Sequence, residues 1–230
     1  MNYEEIESKA FIYWIKTGIR ININDFINSF EYKSLLREIN FIEEISKGNI
    51  FFVGEGNFSF ALRLARQSLN KSSFIATAFE DKNEISKEVQ NNIKQLLDLG
   101  VKVLFNIDGT KLENYFKTIK FDRIIFNFPN TASRNGKYGK THNYYLLKNF
   151  LKSCINVLNY NGKIIITLVD TSYYKGAFDY ENLNIKEYNN PEICKFNPSR
   201  FKGYIHTKTH EEESGLDKYD DFISLVFSLK

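Results

Sequence analysis

The chain has only two cysteines, Cys154 and Cys194, and they lie far apart in sequence. Two isolated thiols are too few for a disulfide framework or a zinc site, so we expect both side chains to be reduced. Cys154 falls on the apolar side of a predicted helix, where a packing role is expected. The fold must therefore be held together by its core.

Long apolar runs are also missing. No run approaches the ~20 residues of a membrane span, and the polar, acidic start at residues 1–9 is unlike a secretory signal. We therefore expect a soluble intracellular protein without a membrane or metal partner. Its expected compartment is the cytoplasm, with the nucleolus as the alternative in a eukaryote.

Charge of one sign is barely in excess, because 31 Lys and Arg against 28 Asp and Glu give a net charge of +3. That excess does not indicate a nucleic-acid partner by itself, so the positions of the charges matter more.

Apolar side chains are plentiful, at 43% hydrophobic and 16% aromatic residues. A length of 230 residues with this composition suits one large domain with a small appendage.

The stretch from Ile50 to Phe60 predicts a strand, a tight turn and a helix. Gly54 and Gly56 let the backbone pass close to a ligand, and the free N–H groups of the new helix are expected to face the same point. This is the geometry of a nucleotide-type cofactor loop, although two glycines also form ordinary turns. Ser59 stands where a dinucleotide fingerprint has its third glycine, which disfavours a dinucleotide.

Strands and helices alternate after residue 48. Strands are predicted up to residue 53 and at about 73–79, 101–107, 121–128, 163–169 and 222–229, helices at about 58–69, 83–99, 111–116 and 141–158, and short extended pieces near 193–196 and 203–209. This alternation predicts an α/β domain over 48–230, with a parallel sheet and helices on both faces. Residues 1–47 are predicted to be a helical N-terminal extension.

Polar side chains close the predicted strands at the edge where an open parallel sheet binds ligands. Glu80, Asp108, Asn127 and Asp170 end the second to fifth strands. Glu80 can accept both hydroxyls of a ribose, and Asp108 can accept the exocyclic amine of adenine, which together describe an adenosine-bearing ligand. Either carboxylate could instead cap the next helix, and Asp108 could cap the segment that starts near Lys111.

The corner Asn127-Phe128-Pro129-Asn130 fixes a carbonyl and an amide at the sheet edge, because proline sets φ and has no N–H. Such a corner can hold a planar hydrogen-bonding group, such as the edge of a nucleobase. An ordinary strand-to-loop turn would use the same residue types.

Residues 50–60, 106–112 and 121–129 resemble the 25S ribosomal RNA (uridine-N3)-methyltransferase-like (BMT5-like) domain family. The resemblance continues through 143–147 and 201–209 and spans about residues 49 to 210. It implies a Rossmann-like class I methyltransferase with a mostly parallel seven-stranded sheet. It also implies S-adenosylmethionine as methyl donor and N3 of a uridine in large-subunit ribosomal RNA as acceptor.

The resemblance implies a role for individual residues. The cofactor-binding set is Gly54, Glu55, Gly56, Asn57, Phe58 and Ser59 at the methionine end, Glu80 at the ribose and Asp108 at the adenine, and the target base is held by Asn127, Phe128, Pro129 and Asn130. The chain departs from the family pattern in three places: Asn130 stands where the family often has histidine, several positions within 201–208 differ from the usual ending, and residues 170–174 lack the expected Pro-Tyr. In addition, Phe52 stands where class I enzymes often have an acid.

Methylation at uridine N3 requires that the N3 proton be removed. The candidates are Asp170, His142 and His206; both histidines are expected to be structural, and Asp170 joins residues 127–130 in the predicted catalytic set.

Basic residues flank the predicted base pocket. Arg134, Lys137 and Lys140 lie in one loop, and Lys195, Arg200, Lys202 and Lys208 could extend a grip on RNA phosphate, while Tyr138, Tyr173 and Tyr174 could stack a flipped base. A solvated loop would have the same composition.

The leading hypothesis is a methyltransferase that uses S-adenosylmethionine and acts on ribosomal RNA. Two alternatives remain open at this point. One is a methyltransferase-like fold that serves as an RNA-binding or regulatory module, and the other is a methyltransferase with a non-RNA substrate.

Overall fold

The computed structural model describes residues 3–18, 20–68, 73–131, 136–137, 140–206 and 218–230. The chain divides into two units between Glu44 and Ile45. The three helices at the N-terminus are α1 (Tyr3–Thr17), α2 (Ile23–Asn28) and α3 (Phe30–Ile45). The helical content predicted for the N-terminal extension is therefore observed in its described residues.

The first unit has a small aromatic core of its own. Helix α2 begins after Asn22, whose side chain accepts a hydrogen bond from the N–H of Asp25 at 2.9 Å. Phe26 is buried, and its ring centroid lies 5.5 Å from that of Tyr32 and 5.8 Å from that of Tyr13. These ring contacts hold α1, α2 and the start of α3 together.

The second unit is built on one seven-stranded sheet. Its strands are β1 (Ile50–Val53), β2 (Phe74–Thr77), β3 (Lys102–Leu104), β4 (Phe121–Asn127), β5 (Leu158–Val169), β6 (Glu192–Phe196) and β7 (Phe222–Ser228), in the order β3-β2-β1-β4-β5-β7-β6. Strand β7 runs antiparallel to both of its neighbours, and the other neighbouring pairs are parallel. The predicted, mostly parallel seven-stranded sheet is confirmed.

Helices connect the strands. They are α4 (Ser59–Gln67), α5 (Lys87–Asp98), α6 (Leu112–Tyr115), α7 (His142–Cys154) and α8 (Ser172–Phe178). The helix predicted from about residue 83 is split, because two side chains cap separate segments. Asp81 caps a 3₁₀ turn at Lys82–Glu84, and Ser86 caps α5 by accepting from the N–H of Val89.

The predicted extended segment at 203–209 forms no strand in its described part, residues 203–206. The reason is that the backbone N–H and C=O of Ile205 bond to side chains instead of to a neighbouring strand. Strand β5 also begins at Leu158, five residues earlier than expected, and its pairing with β4 shifts register between Phe121 and Arg123.

Strand β1 is buried on both faces, as its continuous apolar run requires. On one face Phe51 stacks on Phe121 with ring centroids 4.7 Å apart. On the other face Phe52 packs against Phe74 at 5.6 Å and Phe60 at 6.2 Å. Each of these rings is at most 1% exposed, and full burial of such a ring stabilises the fold by about 2 kcal/mol.

Gly48→Ala should destabilise the second unit more than Gly100→Ala does. Both glycines have positive φ, +76° and +82°. A Cβ at Gly48 would lie 2.7 Å from the Cβ of Asp122, whereas a Cβ at Gly100 would meet nothing within 4 Å. Asp122 cannot move freely, because its carboxylate accepts from the N–H of Asn49 at 2.8 Å and from the side chain of Asn159 at 2.6 Å.

We expect a loss of about 1 kcal/mol for Gly100→Ala from backbone strain, and about 3 kcal/mol for Gly48→Ala from strain plus displacement of Asp122. Urea denaturation of each variant measures the free energy of unfolding. Equal losses in the two variants would show that Asp122 adapts at no cost.

Candidate functional site

The turn between β1 and α4 needs glycine at its first position. Gly54 has a φ of +63°, and a Cβ there would lie 2.8 Å from Cε2 of Phe126 on the neighbouring strand. The next N–H, that of Glu55, donates to the carbonyl of Thr77 at 2.8 Å, which fastens the turn to the end of β2. The turn therefore lies at the carboxyl ends of β1, β2 and β4.

The first turn of α4 is capped from within this loop. The side chain of Asn57 accepts from the N–H of Ser59 at 3.1 Å, and Oε2 of Glu55 accepts from the N–H of Ala61 at 3.1 Å. The expectation that the helix offers free N–H groups to a ligand is therefore wrong for these two groups. The loop presents a carboxylate to the site instead.

Glu55 is 7% exposed. Burial raises the pKa of its carboxyl from its ordinary value of 4.5 to about 7, although the hydrogen bond from Ala61 opposes the shift. No ion pair to Glu55 is present within the described part of the chain. A ligand with a positive charge near this carboxylate would offset the cost of its burial.

Asn127, the last residue of β4, has a buried side-chain oxygen and a buried side-chain nitrogen, and neither has a hydrogen-bond partner. Among the described residues only Arg63 and Glu113 also have such an atom, one each. Burying unpaired polar atoms costs about 1–3 kcal/mol each. An amide left unpaired at the carboxyl end of a central strand is placed to bind a ligand.

The chain bends directly after Asn127. Phe128 has a φ of +50°, and its N–H donates to the carbonyl of Thr167 at 2.8 Å, which continues the pairing of β4 with β5. Pro129 is buried and Asn130 is exposed. Of the four predicted corner residues, Asn127 and Phe128 lie beside the turn after β1.

Asn143, in the first turn of α7, braces this corner. Its Oδ1 accepts from the N–H of Thr131 at 2.9 Å and from the Thr131 hydroxyl at 3.0 Å, and its Nδ2 donates to Oδ1 of Asn130 at 3.4 Å. Asn143 is 8% exposed, so these bonds are shielded from water. They fix the path of the chain that leaves the corner.

Residues 201–206, which we call the strap, cross the turn after β1. The carbonyl of Ile205 accepts from Nδ2 of Asn57 at 2.8 Å and from the hydroxyl of Ser59 at 2.9 Å. The N–H of Ile205 lies 3.1 Å from the same Ser59 oxygen and donates to it. Three hydrogen bonds thus join the strap to two residues at the start of α4.

Aromatic packing holds the other end of the strap. The ring of Phe201 stacks on Phe196 with centroids 5.4 Å apart and lies 4.9 Å from Phe60. Tyr204 packs edge-on against Phe60 at 5.2 Å. With both ends held, the side chains of Tyr204 and His206 face the turn and the corner.

A cavity of about 50 Å³ lies at this meeting point. Its lining consists of Gly54, Glu55, Gly56, Asn57, Asn127, Phe128, Tyr204, Ile205 and His206. The enclosed volume suits one functional group of a ligand, and the remainder of a larger ligand would extend along the open sheet edge. Predicted residues from the glycine turn and from the corner therefore come together in space.

His206 is packed against the corner, with its ring centroid 4.8 Å from that of Phe128. Burial lowers the pKa of His206 to about 4, so its imidazole is neutral at pH 7. Nδ1 of His206 lies 3.4 Å from the hydroxyl of Tyr204. Burial, with a smaller contribution from Glu55, raises the pKa of Tyr204 well above its ordinary value, so this phenol stays protonated.

The two predicted adenosine-binding acids lie outside the cavity lining, at the ends of β2 and β3. Asp108 caps the next turn: its Oδ1 accepts from the N–H of Thr110 at 2.9 Å and from the Thr110 hydroxyl at 2.7 Å, and Oδ2 lies 3.0 Å from Nζ of Lys111. Partial burial raises the pKa of Asp108, but these bonds outweigh it and lower the pKa overall. The backbone of Glu80 accepts from the N–H of Asn106 at 3.3 Å.

Other predicted residues are not brought to the cavity. Phe58 is fully buried in the core, and Ser59 contacts the strap instead of lining the cavity. Asp170 and His142 are both exposed, and neither lines the cavity. Tyr173 is also exposed. Arg134, Tyr138 and Lys208 lie outside the described residues, as do the side chains of Lys137 and Lys140.

Sequence reasoning missed three residues of this site. Tyr204 and Ile205 line the cavity, and Asn143 braces the corner. All three lie in segments of the family resemblance, 201–209 and 143–147, which was the available signal. None of them follows from strand and helix patterns, because their contacts depend on the tertiary fold.

A larger groove of about 380 Å³ lies elsewhere on the second unit, near the start of β6 and the end of β7. Ile193 and Phe227 in its lining sit toward the amino ends of the parallel strands. Two buried tyrosines, Tyr180 and Tyr188, line the groove, and Tyr188 donates its hydroxyl to the carbonyl of Leu151 at 2.8 Å. The smaller cavity is the better site, because it lies at the carboxyl ends and contains the unpaired amide.

Among the described residues, no group of three or more His, Cys, Asp or Glu side chains is arranged to hold a metal ion. No helix in the same residues is both long enough and apolar enough to cross a membrane.

Comparison with known proteins identifies the family. Residues 51–208 match the family described as BMT5-like, rRNA (uridine-N3-)-methyltransferase BTM5-like. The matched range includes the glycine turn, the corner and the strap.

Three relatives match parts of the chain. The ferredoxin-fold anticodon-binding domain-containing protein 1 homolog of Mus musculus is 37% identical over 52% of this chain and 19% of its own length. An uncharacterized protein of Arabidopsis thaliana is 28% identical over 77% of this chain and 88% of its own. The 25S rRNA (uridine(2634)-N(3))-methyltransferase of Saccharomyces cerevisiae is 25% identical over 56% of this chain and 46% of its own. The chain thus spans only a fifth of the mouse relative and under half of the yeast one.

Solved structures share the fold. NSun6 from Pyrococcus horikoshii has a TM-score of 0.54 at 17% identity, over 85% of this chain and 51% of its own. TrmN from Thermus thermophilus has a TM-score of 0.53 at 13% identity, over 86% of this chain and 49% of its own. The sheet order and these likenesses show the class I methyltransferase fold.

Glu55→Gln should change how stability depends on pH. The pKa of Glu55 is raised to about 7 in the folded protein, so the folded state holds the proton more tightly than the unfolded state. The stability of the wild-type protein therefore falls as pH rises from about 4.5 to about 7. The full loss is about 3 kcal/mol and persists above pH 7.

We expect the Gln variant, measured without ligand, to be more stable than the wild type above pH 7 and to lose this advantage near pH 4.5. Denaturation curves from pH 5 to pH 8 measure the difference. The exposed Glu88→Gln controls for the loss of one negative charge. A difference that stays constant across this range would contradict burial as the cause.

Proposed function

The chain belongs to the BMT5-like family of rRNA (uridine-N3-)-methyltransferases, and on this basis we propose that it methylates N3 of a uridine in ribosomal RNA with S-adenosylmethionine as donor. The observation that carries the proposal is the unpaired, buried amide of Asn127 in a cavity that also contains the glycine turn after β1. A methyl acceptor and a methyl donor must meet at one point, and this cavity joins the two candidate binding elements.

The turn at residues 54–57 is the proposed position of the methionine end of the cofactor. The residues fit that group: Gly54 has no side chain to block close approach, and the buried carboxylate of Glu55 can bind the α-ammonium. Bound S-adenosylmethionine would supply an electrophilic methyl group on its sulfonium. This carboxylate, and not a free helix N-terminus, is the recognition element at that end.

The adenosine part would extend along the ends of β2 and β3. Glu80 is half-buried there, and we propose that it accepts the ribose hydroxyls. Asp108 uses both of its oxygens locally, but a carboxylate has about four lone-pair sites, so it can also accept the adenine amine. Its bonds to Thr110 and Lys111 fix the orientation in which it would do so.

Asn127 is the proposed reader of the uracil edge. Its Nδ2 can donate to a carbonyl oxygen beside N3, where negative charge develops as N3 loses its proton. A donor that is already in place and has no competing partner costs no reorganisation when the charge forms. Asn143 supports this role, because it fixes the corner that follows Asn127.

Ribosomal RNA is the proposed partner, on the basis of the family and of exposed basic residues near the site. Lys202 is exposed on the strap and can contact phosphate. Lys195 is exposed on β6 and pairs with Asp221 at 3.5 Å, a surface pair that phosphate can replace. With a ribosomal substrate, the protein would work in the cytoplasm or the nucleolus. Asp170 is exposed and lies outside the cavity lining, so it has no part in the proposed reaction.

Glu80→Gln should weaken cofactor binding. Loss of a charged acceptor for two hydroxyls is expected to raise the Kd for S-adenosylmethionine about 10-fold or more. Isothermal titration calorimetry measures the Kd, and the exposed Glu88→Gln is the matched control. An unchanged Kd would overturn the ribose assignment, and the absence of binding by the wild-type protein would overturn the cofactor assignment.

Asn127→Ala should abolish most methyl transfer while cofactor affinity stays within a few-fold of the wild type. We expect a loss of 100-fold or more in rate, as for removal of one preorganised donor. Mass spectrometry of nucleosides from ribosomal RNA incubated with protein and labelled cofactor would report N3-methyluridine. Asn91→Ala, an exposed asparagine on α5, is the control.

Three results of this assay would contradict the proposal in different ways. Cofactor binding without any incorporation indicates a binding module. Incorporation that resists ribonuclease indicates a non-RNA substrate. Full activity of Asn127→Ala removes the base-reading role from this residue.

A further inference from the structure

A uridine must lose its N3 proton when N3 is methylated, and the sequence offers three candidate acceptors. The structure separates them. Asp170 and His142 are exposed and do not line the cavity, whereas His206 lines it together with Asn127 and Phe128. Within the described part of the chain, His206 is the only one of the three beside the proposed uracil edge.

The position of His206 is fixed from two sides. Its ring packs against Phe128 at 4.8 Å. The residue before it, Ile205, is tied by its backbone to Asn57 and Ser59 through three hydrogen bonds of 2.8 to 3.1 Å. A ring held in this way keeps its orientation without help from bound RNA.

The ring is available as a proton acceptor. Burial keeps the imidazole neutral at pH 7, so one ring nitrogen carries a lone pair. The titratable groups that share the cavity with it are Tyr204 and Glu55. When Nδ1–H donates to the hydroxyl of Tyr204, at 3.4 Å, the lone pair lies on Nε2.

We propose that His206 accepts the N3 proton of the target uridine, an inference that rests on the proposed function. The N3–H bond breaks and the proton passes to Nε2. The freed N3 electron pair forms the bond to the methyl carbon, while the carbon–sulfur bond breaks and leaves its electron pair on sulfur. The imidazolium then releases its proton to water, which restores the neutral ring.

Tyr204 and Ser59 are positioning residues in this scheme. Tyr204 selects the tautomer by accepting from Nδ1–H, and its phenol stays protonated. Ser59 both donates to and accepts from Ile205, so it fixes the backbone from which His206 projects. The strap thereby supplies a reactive group to a site whose other parts come from β1 and β4.

The test uses His206→Ala and His206→Gln in the full chain, with ribosomal RNA as substrate. We expect His206→Ala to lower kcat by about 100-fold or more, with the Kd for S-adenosylmethionine within twofold of the wild type. Added imidazole should restore activity to His206→Ala, and more strongly as pH rises through its pKa, because only the free base accepts a proton. His206→Gln preserves hydrogen bonding but not basicity, so it should be equally slow.

His142→Ala is the matched control, because it removes an exposed histidine outside the cavity. Thermal unfolding of each variant shows whether the protein still folds when the imidazole ring of residue 206 has been removed. The inference is overturned if His206→Gln keeps more than half of the wild-type kcat, or if imidazole fails to restore a folded His206→Ala that still binds the cofactor. If the wild-type protein itself forms no N3-methyluridine, the proposed function fails and this inference fails with it.

Discussion

The parallel pairing of β1 with β4 is the constraint on which the site depends. Because Val53 pairs with Phe126, the turn that begins at Gly54 and the corner that begins at Asn127 leave the sheet side by side. The pairing also presses Phe126 against the turn so closely that only glycine fits at residue 54. Neighbouring strands in the order β2-β1-β4 have their connections on opposite sides, which opens a crevice at their carboxyl ends. Burial of Phe51 and Phe52 on the two faces of β1 keeps this arrangement rigid.

Much of the fold could be predicted from the sequence, because its strands and helices are specified by local patterns. Apolar runs such as 50–53 and 222–228 mark strands, and the alternation with helices gives a parallel sheet. Helix starts were predicted less well. Asp81 and Ser86 are both good N-caps, and the sequence pattern alone does not show that each caps a separate segment. The family resemblance implied a mostly parallel sheet, but no prediction identified β7 as the strand that runs antiparallel to its neighbours.

The sequence predicted two parts of the candidate site, the glycine turn and the corner, but not how the strap meets them. Gly54 and Asn127 each follow a strand, so the pattern marks them. Two roles were open for Asp108, binding of adenine and capping of the next turn. They differ only in side-chain hydrogen bonds, which the sequence does not show. The raised pKa of the Glu55 carboxyl could not be predicted either, because it depends on how completely the surrounding core excludes water. The contact of His206 with Phe128 joins residues 78 positions apart and depends on the tertiary fold.

The hydrogen bonds between the strap and the start of α4 use the backbone N–H and C=O of Ile205, while the Ile205 side chain is 52% exposed. Position 205 should therefore accept almost any amino acid, provided that it has a backbone N–H, so that proline alone is excluded. Comparison of side chains among homologues would show a variable, solvent-facing residue there and would give no sign of its structural importance. A change at its partner Ser59 would disrupt the same three-residue contact although it lies 146 positions away in the chain.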